Sequence, residues 1–96
     1  MFNKICADVQ RIILRNNPDI YEEDFNYHIK ELEYQVISSI YLDKELKSSL
    51  EDKLQNLKYQ FTDLTRSDLD QYKREESKTN AISTIQTIRS IIEVNI

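Results

Sequence analysis

Apolar residues recur at helical spacing along almost the whole chain. In the first segment they fall on one side of a helical wheel on which each residue advances by about 100°. They are Phe2, Ile5, Cys6, Val9, Ile12 and Ile13. The pattern predicts a first helix over about residues 3–16, ended by Asn16-Asn17-Pro18, because proline disfavours helical geometry in the residue before it.

Two further segments have apolar residues alternating at spacings of three and four. The second helix is predicted to follow the acidic capping sequence Asp19-Ile20-Tyr21-Glu22 and to extend to about residue 41. Its predicted core face consists of Phe25, Ile29, Leu32, Val36 and Ile40. The third helix is expected after Asp43 as N-cap, with a core face of Leu50, Leu54, Leu57, Phe61 and Leu64. Such faces are typical of helices packed side by side at shallow angles.

Residues 67–80 lack the regularly repeating apolar positions of the other segments. Residues 73–80 contain no apolar side chain, so we expect a loop or a solvated helical turn there. Residues 67–70 could cap a new helix, or the third helix could continue to Tyr72. The apolar pattern resumes at Ala81 and predicts a last helix over about residues 79–94. Its core face is expected to be Ala81, Ile82, Ile85, Ile88, Ile92 and Ile96.

Four apolar faces joined by short connections predict an all-α fold, a compact antiparallel helical bundle. We expect four helices, with a fifth, short helix near residues 67–76 as the open alternative. The 96 residues suffice for a single helical domain over residues 1–96. The chain has no glycine, which excludes Gly-rich phosphate loops and disfavours an all-β fold, since tight hairpin turns use positive φ.

The second helix has an apolar side opposite its core face. Tyr27, Tyr34 and Tyr41 repeat every seven residues there, and residues 21–45 hold seven acidic but only two basic side chains. Tyrosines bury much area at low entropic cost, so this side is predicted to bind a protein partner. The predicted partner-binding residues are Glu23, Tyr27, Glu31, Tyr34, Ile37 and Tyr41. The alternative is that a second layer of the bundle packs on the tyrosines.

His28 and Cys6 are the two residues whose side chains could carry chemistry. His28 has Asp24 four residues before it and Glu31 three after, which could bind zinc or move protons. The chain has one histidine, however, and the favoured interpretation is a hydrogen bond on the helix surface, with no metal and no cofactor. Cys6 lies on the apolar side of the first helix and is expected to be a buried structural thiol.

Charge disfavours nucleic acid as a direct partner. The net charge is -4, and the three cations Lys4, Arg11 and Arg15 on one side of the first helix are too few for convincing phosphate binding. Solubility, or pairing with acidic side chains of the second helix, is the expected use of these cations. No signal-peptide core or membrane span is visible, so no membrane partner is expected and the chain is predicted to be cytoplasmic.

The sequence favours an interaction protein over an enzyme, because it carries no nucleophile with its base, no carboxylate pair in a cleft and no cofactor motif. In size, helicity and acidity the chain resembles the small helical immunity proteins of bacterial toxin–immunity systems. The acidic helix face with its aromatic residues favours an inhibitor, with a monomer expected, that neutralises a basic partner such as a nuclease toxin through complementary charge. The alternative is a homo-oligomeric adaptor or chaperone-like protein that uses the same tyrosines on itself, in which case a homodimer is expected.

Overall fold

Apolar side chains from four helices meet in one core. The computed structural model describes residues 2–15, 18–66 and 70–95, and these ranges contain four α-helices and no strand. The helices are α1 (Phe2–Ile13), α2 (Glu22–Ser38), α3 (Lys44–Leu64) and α4 (Gln71–Asn95), and a short 3-10 helix (Pro18–Tyr21) precedes α2. The predicted all-α bundle is confirmed.

Each helix packs against two neighbours. Helices α1 and α3 both contact α2 and α4, so the four form a closed antiparallel bundle with principal extents of 42 × 20 × 16 Å. The Arg89 Nε group donates to Asn3 Oδ1 at 3.3 Å, which joins the C-terminal half of α4 to the first turn of α1. One continuous layer of buried apolar residues runs between the helices.

The predicted core face of α3 is buried along its whole length. Phe61 of α3 stacks on Phe25 of α2, with ring centroids 3.8 Å apart and planes within 7°. Leu32 and Val36 continue the buried face of α2. This face fixes the rotation of α2, and it therefore decides which side chains of α2 point outward.

The expected cap of α2 is wrong. Residues 18–21 form the 3-10 helix, and Tyr21, which makes no side-chain capping bond, holds the N-cap position. The first turn instead carries Glu22, Glu23 and Asp24, whose negative charges are favourable beside exposed amide groups at a helix N-terminus. Helix α1 ends at Ile13, earlier than predicted, and Asn16 and Asn17 lie outside the described residues.

The expected end of α2 is also wrong, because the helix stops at Ser38 and residue 39 is extended. The Ser38 hydroxyl donates to the Tyr34 carbonyl, and the Lys47 ammonium group of α3 donates to the Ile37 carbonyl at 2.9 Å. The bond from Lys47 satisfies the Ile37 carbonyl, which a continuing helix would have paired with the N–H four residues later. Ile40, predicted for the core, is consequently 88% exposed, and Leu42 is buried in its place.

Helix α4 begins well before residue 79, contrary to the expectation. Asp70 accepts the Lys73 N–H at 2.8 Å, which is an N-cap bond, and a continuous helix follows from Gln71. Residues 71–80 are rich in good helix formers. They lengthen α4 at its N-terminal end without contributing buried side chains to the core. Ile82 is only half-buried and Ile96 lies outside the described residues, whereas the other predicted α4 core residues are buried.

Candidate functional site

Burial of the core face of α2 leaves two tyrosines on its outward side. Tyr27 is 62% and Tyr34 is 69% exposed, and both belong to the same helix face. Tyr41 is 66% exposed but lies in the connection after α2, so its position comes from that connection and not from helical periodicity. The alternative in which a second layer of the bundle covers these rings is therefore wrong.

Beside the tyrosines, α1 and α2 enclose an open groove of about 630 Å³ with a mostly apolar lining. We call it the α1/α2 groove. Its lining residues are Lys4, Ile5, Asp8, Tyr27, His28, Lys30, Glu31, Tyr34 and Gln35. A smaller groove of about 250 Å³ shares Gln35 with it and leads toward Ile40 and Tyr41 at the end of α2. The three predicted tyrosines thus border neighbouring hollows on one side of the bundle.

The other predicted partner-binding residues lie around this region in different settings. Glu23 is exposed in the first turn of α2. Glu31 lies in the α1/α2 groove and accepts a hydrogen bond from the Tyr27 hydroxyl, which raises the pKa of that phenol. Ile37 is exposed on the opposite margin of α2, beside α3, where it lines a hollow with Glu33 and Glu51. The structure therefore brings Tyr27, Glu31 and Tyr34 into one groove and leaves Ile37 outside it.

Two lysines also belong to the α1/α2 groove. Lys4 comes from α1 and Lys30 from α2, and both residues line the groove together with its tyrosines and its two carboxylates. Nothing in the sequence pattern predicts that they share a groove, because they are far apart in the chain and the predicted face of α2 is acidic. Only the packing of α1 on α2 places them together.

Arg11 of α1 and Arg15, which follows α1, interact with residues close to them in the sequence. Arg11 donates to Asp8 of its own helix at 2.7 Å, and the Arg15 guanidinium lies 5.6 Å from the centroid of the Tyr21 ring. The expected pairing of these two arginines with acidic side chains of α2 is therefore wrong. The Arg11–Asp8 pair lies within α1, whereas Arg15 contacts Tyr21 where the chain passes from α1 to the 3-10 helix.

His28 lies at the wall of the α1/α2 groove and is half-buried. Its Nδ1 atom is covered yet makes no hydrogen bond with the residues that the structure describes. Across residues 2–15, 18–66 and 70–95, no three His, Cys, Asp or Glu side chains are arranged to hold a metal ion. The proximity of Asp24 and Glu31 to His28 in sequence thus produces no metal-binding cluster.

Cys6 is buried among the apolar residues of α1, and the expectation of a buried thiol is confirmed. Burial raises the pKa of this thiol to about 11, while the nearby Arg89 charge lowers it and Glu93 raises it further. A thiol with this pKa is almost fully protonated at neutral pH. Reactive cysteines, in contrast, have a lowered pKa and carry a larger share of thiolate.

Comparisons of the chain with protein families, with curated proteins and with solved structures found no match. Within the described parts of the chain, no helix combines the length and the apolar run that crossing a lipid bilayer requires.

Proposed function

We propose that this chain is an acidic protein-binding domain of the inhibitor or immunity type, which acts in the cytoplasm and neutralises a basic protein partner without catalysing a reaction. Its binding surface is the outward side of α2 with the connection that follows it. The partner class is a basic protein such as a nuclease toxin. The observation that carries the proposal is the exposure of Tyr27, Tyr34 and Tyr41 on one side of the bundle.

The exposed tyrosines represent a substantial apolar surface for a small domain. An aromatic side chain buries about 150–250 Å² when fully covered, so three rings about two-thirds exposed leave roughly 300–500 Å² for a partner. Patches of about this size on a monomer are often functional. Tyrosine is also among the residues in which binding energy concentrates.

The charge around the tyrosines supports a basic partner. Glu22, Glu23 and Asp24 are exposed in the first turn of α2, and the whole chain has a net charge of -4. Carboxylates that surround an apolar contact surface accelerate the approach of a basic protein and disfavour acidic competitors. This support is strongest at the N-terminal end of α2.

The first experiment compares the wild-type chain with Tyr34→Arg as affinity baits in an extract of the native host. Tyr59→Arg is the matched control, because Tyr59 is 64% exposed on α3, away from the proposed surface. We expect the wild type and the Tyr59→Arg control to retain a basic protein that Tyr34→Arg loses. If all three baits retain the same proteins, the proposed surface is wrong.

The second experiment measures the purified pair. Loss of a central tyrosine contact should weaken binding by about 30-fold or more, and association should slow as salt rises from about 0.05 to 0.5 M because exposed charges are screened. If the partner is a nuclease, its activity should fall in proportion to complex formation. A captured protein whose activity is unchanged in the complex would contradict the inhibitor role.

The oligomeric state separates this proposal from a structural or adaptor role. We expect a monomer of 11.5 kDa by size-exclusion chromatography with light scattering. A stable dimer that Tyr34→Arg dissociates and Tyr59→Arg leaves intact would assign the same surface to self-association. That result would favour the homo-oligomeric alternative.

A further inference from the structure

We infer that residues 71–80, the N-terminal part of α4, form a helical arm that unfolds and refolds while the rest of the bundle stays folded. The arm is a conformational element with an opening equilibrium of its own. It does not belong to the proposed binding surface on α2, so its opening is a property separate from the proposed function.

Burial divides α4 into two parts. No side chain of residues 71–80 is buried, and Tyr72, the aromatic residue of the arm, is 79% exposed. The rest of the helix is anchored in the core by Ala81, Ile85, Ile88 and Ile92. Helices in folded proteins owe most of their stability to the packing of an apolar face, so the arm lacks the contribution that holds the rest of α4.

Hydrogen bonds hold the start of the arm. Asp70 Oδ1 accepts the Lys73 N–H at 2.8 Å, and the Asp70 carbonyl accepts the Arg74 N–H at 3.0 Å. The Arg74 side chain donates through Nη2 to the Arg66 carbonyl at 3.2 Å. When the arm opens, water replaces these partners, so the net contribution of each bond to the closed state is small.

The arm also carries an unfavourable feature in its closed state. The Arg74 Nε group is covered, yet it makes no hydrogen bond with the residues that the structure describes. A covered donor without a partner costs free energy, and opening returns this group to water. The arm is also shorter than the roughly 12–15 residues below which an isolated helix is marginal in water.

These features place the arm among the segments that open most easily. Segments with few buried apolar contacts open by themselves, whereas the amides of a packed core exchange only when a much larger part of the protein unfolds. The closed arm is helical because it continues a helix that the core has already ordered. Its opening therefore leaves residues 81–95 and the other three helices in place.

Native-state hydrogen exchange of the ¹⁵N-labelled protein, followed by NMR, tests the inference. It compares residues 75–80 with residues 85–92, since both ranges lie in α4 beyond its first turn. After correction for intrinsic rates, we expect residues 75–80 to exchange at least about 100-fold faster. Urea below the unfolding transition should hardly change their exchange, because local opening exposes little surface, whereas it should accelerate exchange at residues 85–92.

Two matched variants show which part of α4 opens. Thr79 and Thr87 are both exposed, and their hydroxyl groups donate to the carbonyl four residues earlier at 3.0 and 2.9 Å. Alanine is the better helix former by enough to change an equilibrium about threefold. Thr79→Ala should slow exchange at residues 75–80 by this factor. Thr87→Ala should leave these amides unchanged and slow only residues 85–92, because residue 87 stays helical when the arm opens.

Each contrary result would overturn the inference. Equal protection and equal urea dependence in the two ranges would show that α4 opens as one unit. Equal slowing of residues 75–80 by Thr87→Ala and Thr79→Ala would show the same. No effect of Thr79→Ala would mean that the helical state of the arm does not protect its amides. Exchange of residues 75–80 at the rate of an unstructured chain would mean that the arm has no closed state.

Discussion

At the end of α2, the apolar periodicity of the sequence and the tertiary structure place different residues in the core. The spacing of apolar residues places Ile40 in the core, whereas the structure leaves it 88% exposed and buries Leu42 to 5% exposure. Substituting each residue by alanine tests which one supports the fold. Leu14→Ala is a matched control, because it removes the same atoms from an exposed leucine.

The expected free-energy changes follow from burial. Leu42→Ala removes three buried carbon atoms, which corresponds to about 2 kcal/mol of lost transfer energy at roughly 0.8 kcal/mol for each group. Incomplete collapse of the space left behind adds to this, so we expect a total cost of about 2–4 kcal/mol. Ile40→Ala and Leu14→Ala remove exposed groups and should each change stability by less than about 0.5 kcal/mol.

Urea unfolding followed by circular dichroism at 222 nm measures all three variants. For a domain of this size, the Leu42→Ala variant should also lose roughly 10 °C or more in Tm. If Ile40→Ala costs as much as Leu42→Ala, then α2 continues past Ser38, and the bond from Lys47 to the Ile37 carbonyl does not mark its end. If all three variants match the wild type, the connection does not contribute to the core.

Three further predictions concern the core, the cap of α4 and the buried thiol, and urea unfolding measures each of them. Phe25→Leu and Phe61→Leu, made singly and together, should be non-additive by roughly 0.5–1.5 kcal/mol because the rings stack at 3.8 Å, and additive costs would contradict the contact. Asp70→Ala should cost about 1 kcal/mol by removing the bond to the Lys73 N–H, while Asp70→Asn keeps most of it; no cost would mean that α4 starts later. The pKa of Cys6 is raised from 9.0 to about 11 on folding, so its contribution to stability is fully present below pH 9 and is lost as pH rises toward 11. Between about pH 8 and 10.5 the wild type should therefore lose more stability than Cys6→Val, and equal losses would refute the burial of the thiol.

Much of the candidate surface could be predicted from α2 alone. A helix with one buried face must turn the residues half a turn away toward solvent, and Tyr27 and Tyr34 lie there. The heptad spacing places Tyr41 on the same face, yet it is exposed for a different reason, because the chain leaves the helix at Ser38. Its place beside the other two rings depends on the path of the connection.

The start of α4 shows the limit of hydrophobic periodicity in another way. Residues 71–80 are helical but have no buried side chain, so the sequence shows no apolar periodicity in this segment. The available signals are the cap at Asp70 and the high helix propensity of lysine, arginine and glutamate in this stretch. These local preferences are enough to extend the helix through residues 71–80, because the buried part of α4 already provides the nucleated helix to which each further residue adds.

The order of residues along the chain is enough to predict four helices, most of their buried faces and the outward direction of Tyr27 and Tyr34. The reason is that burial imposes a period of about 3.6 residues on every helix that packs against a core. The end of α2 follows instead from a contact between helices, because Lys47 reaches the Ile37 carbonyl from α3. The meeting of Lys4 and Lys30 in one groove has the same origin, since the neighbours of a side chain across two helices depend on how those helices dock.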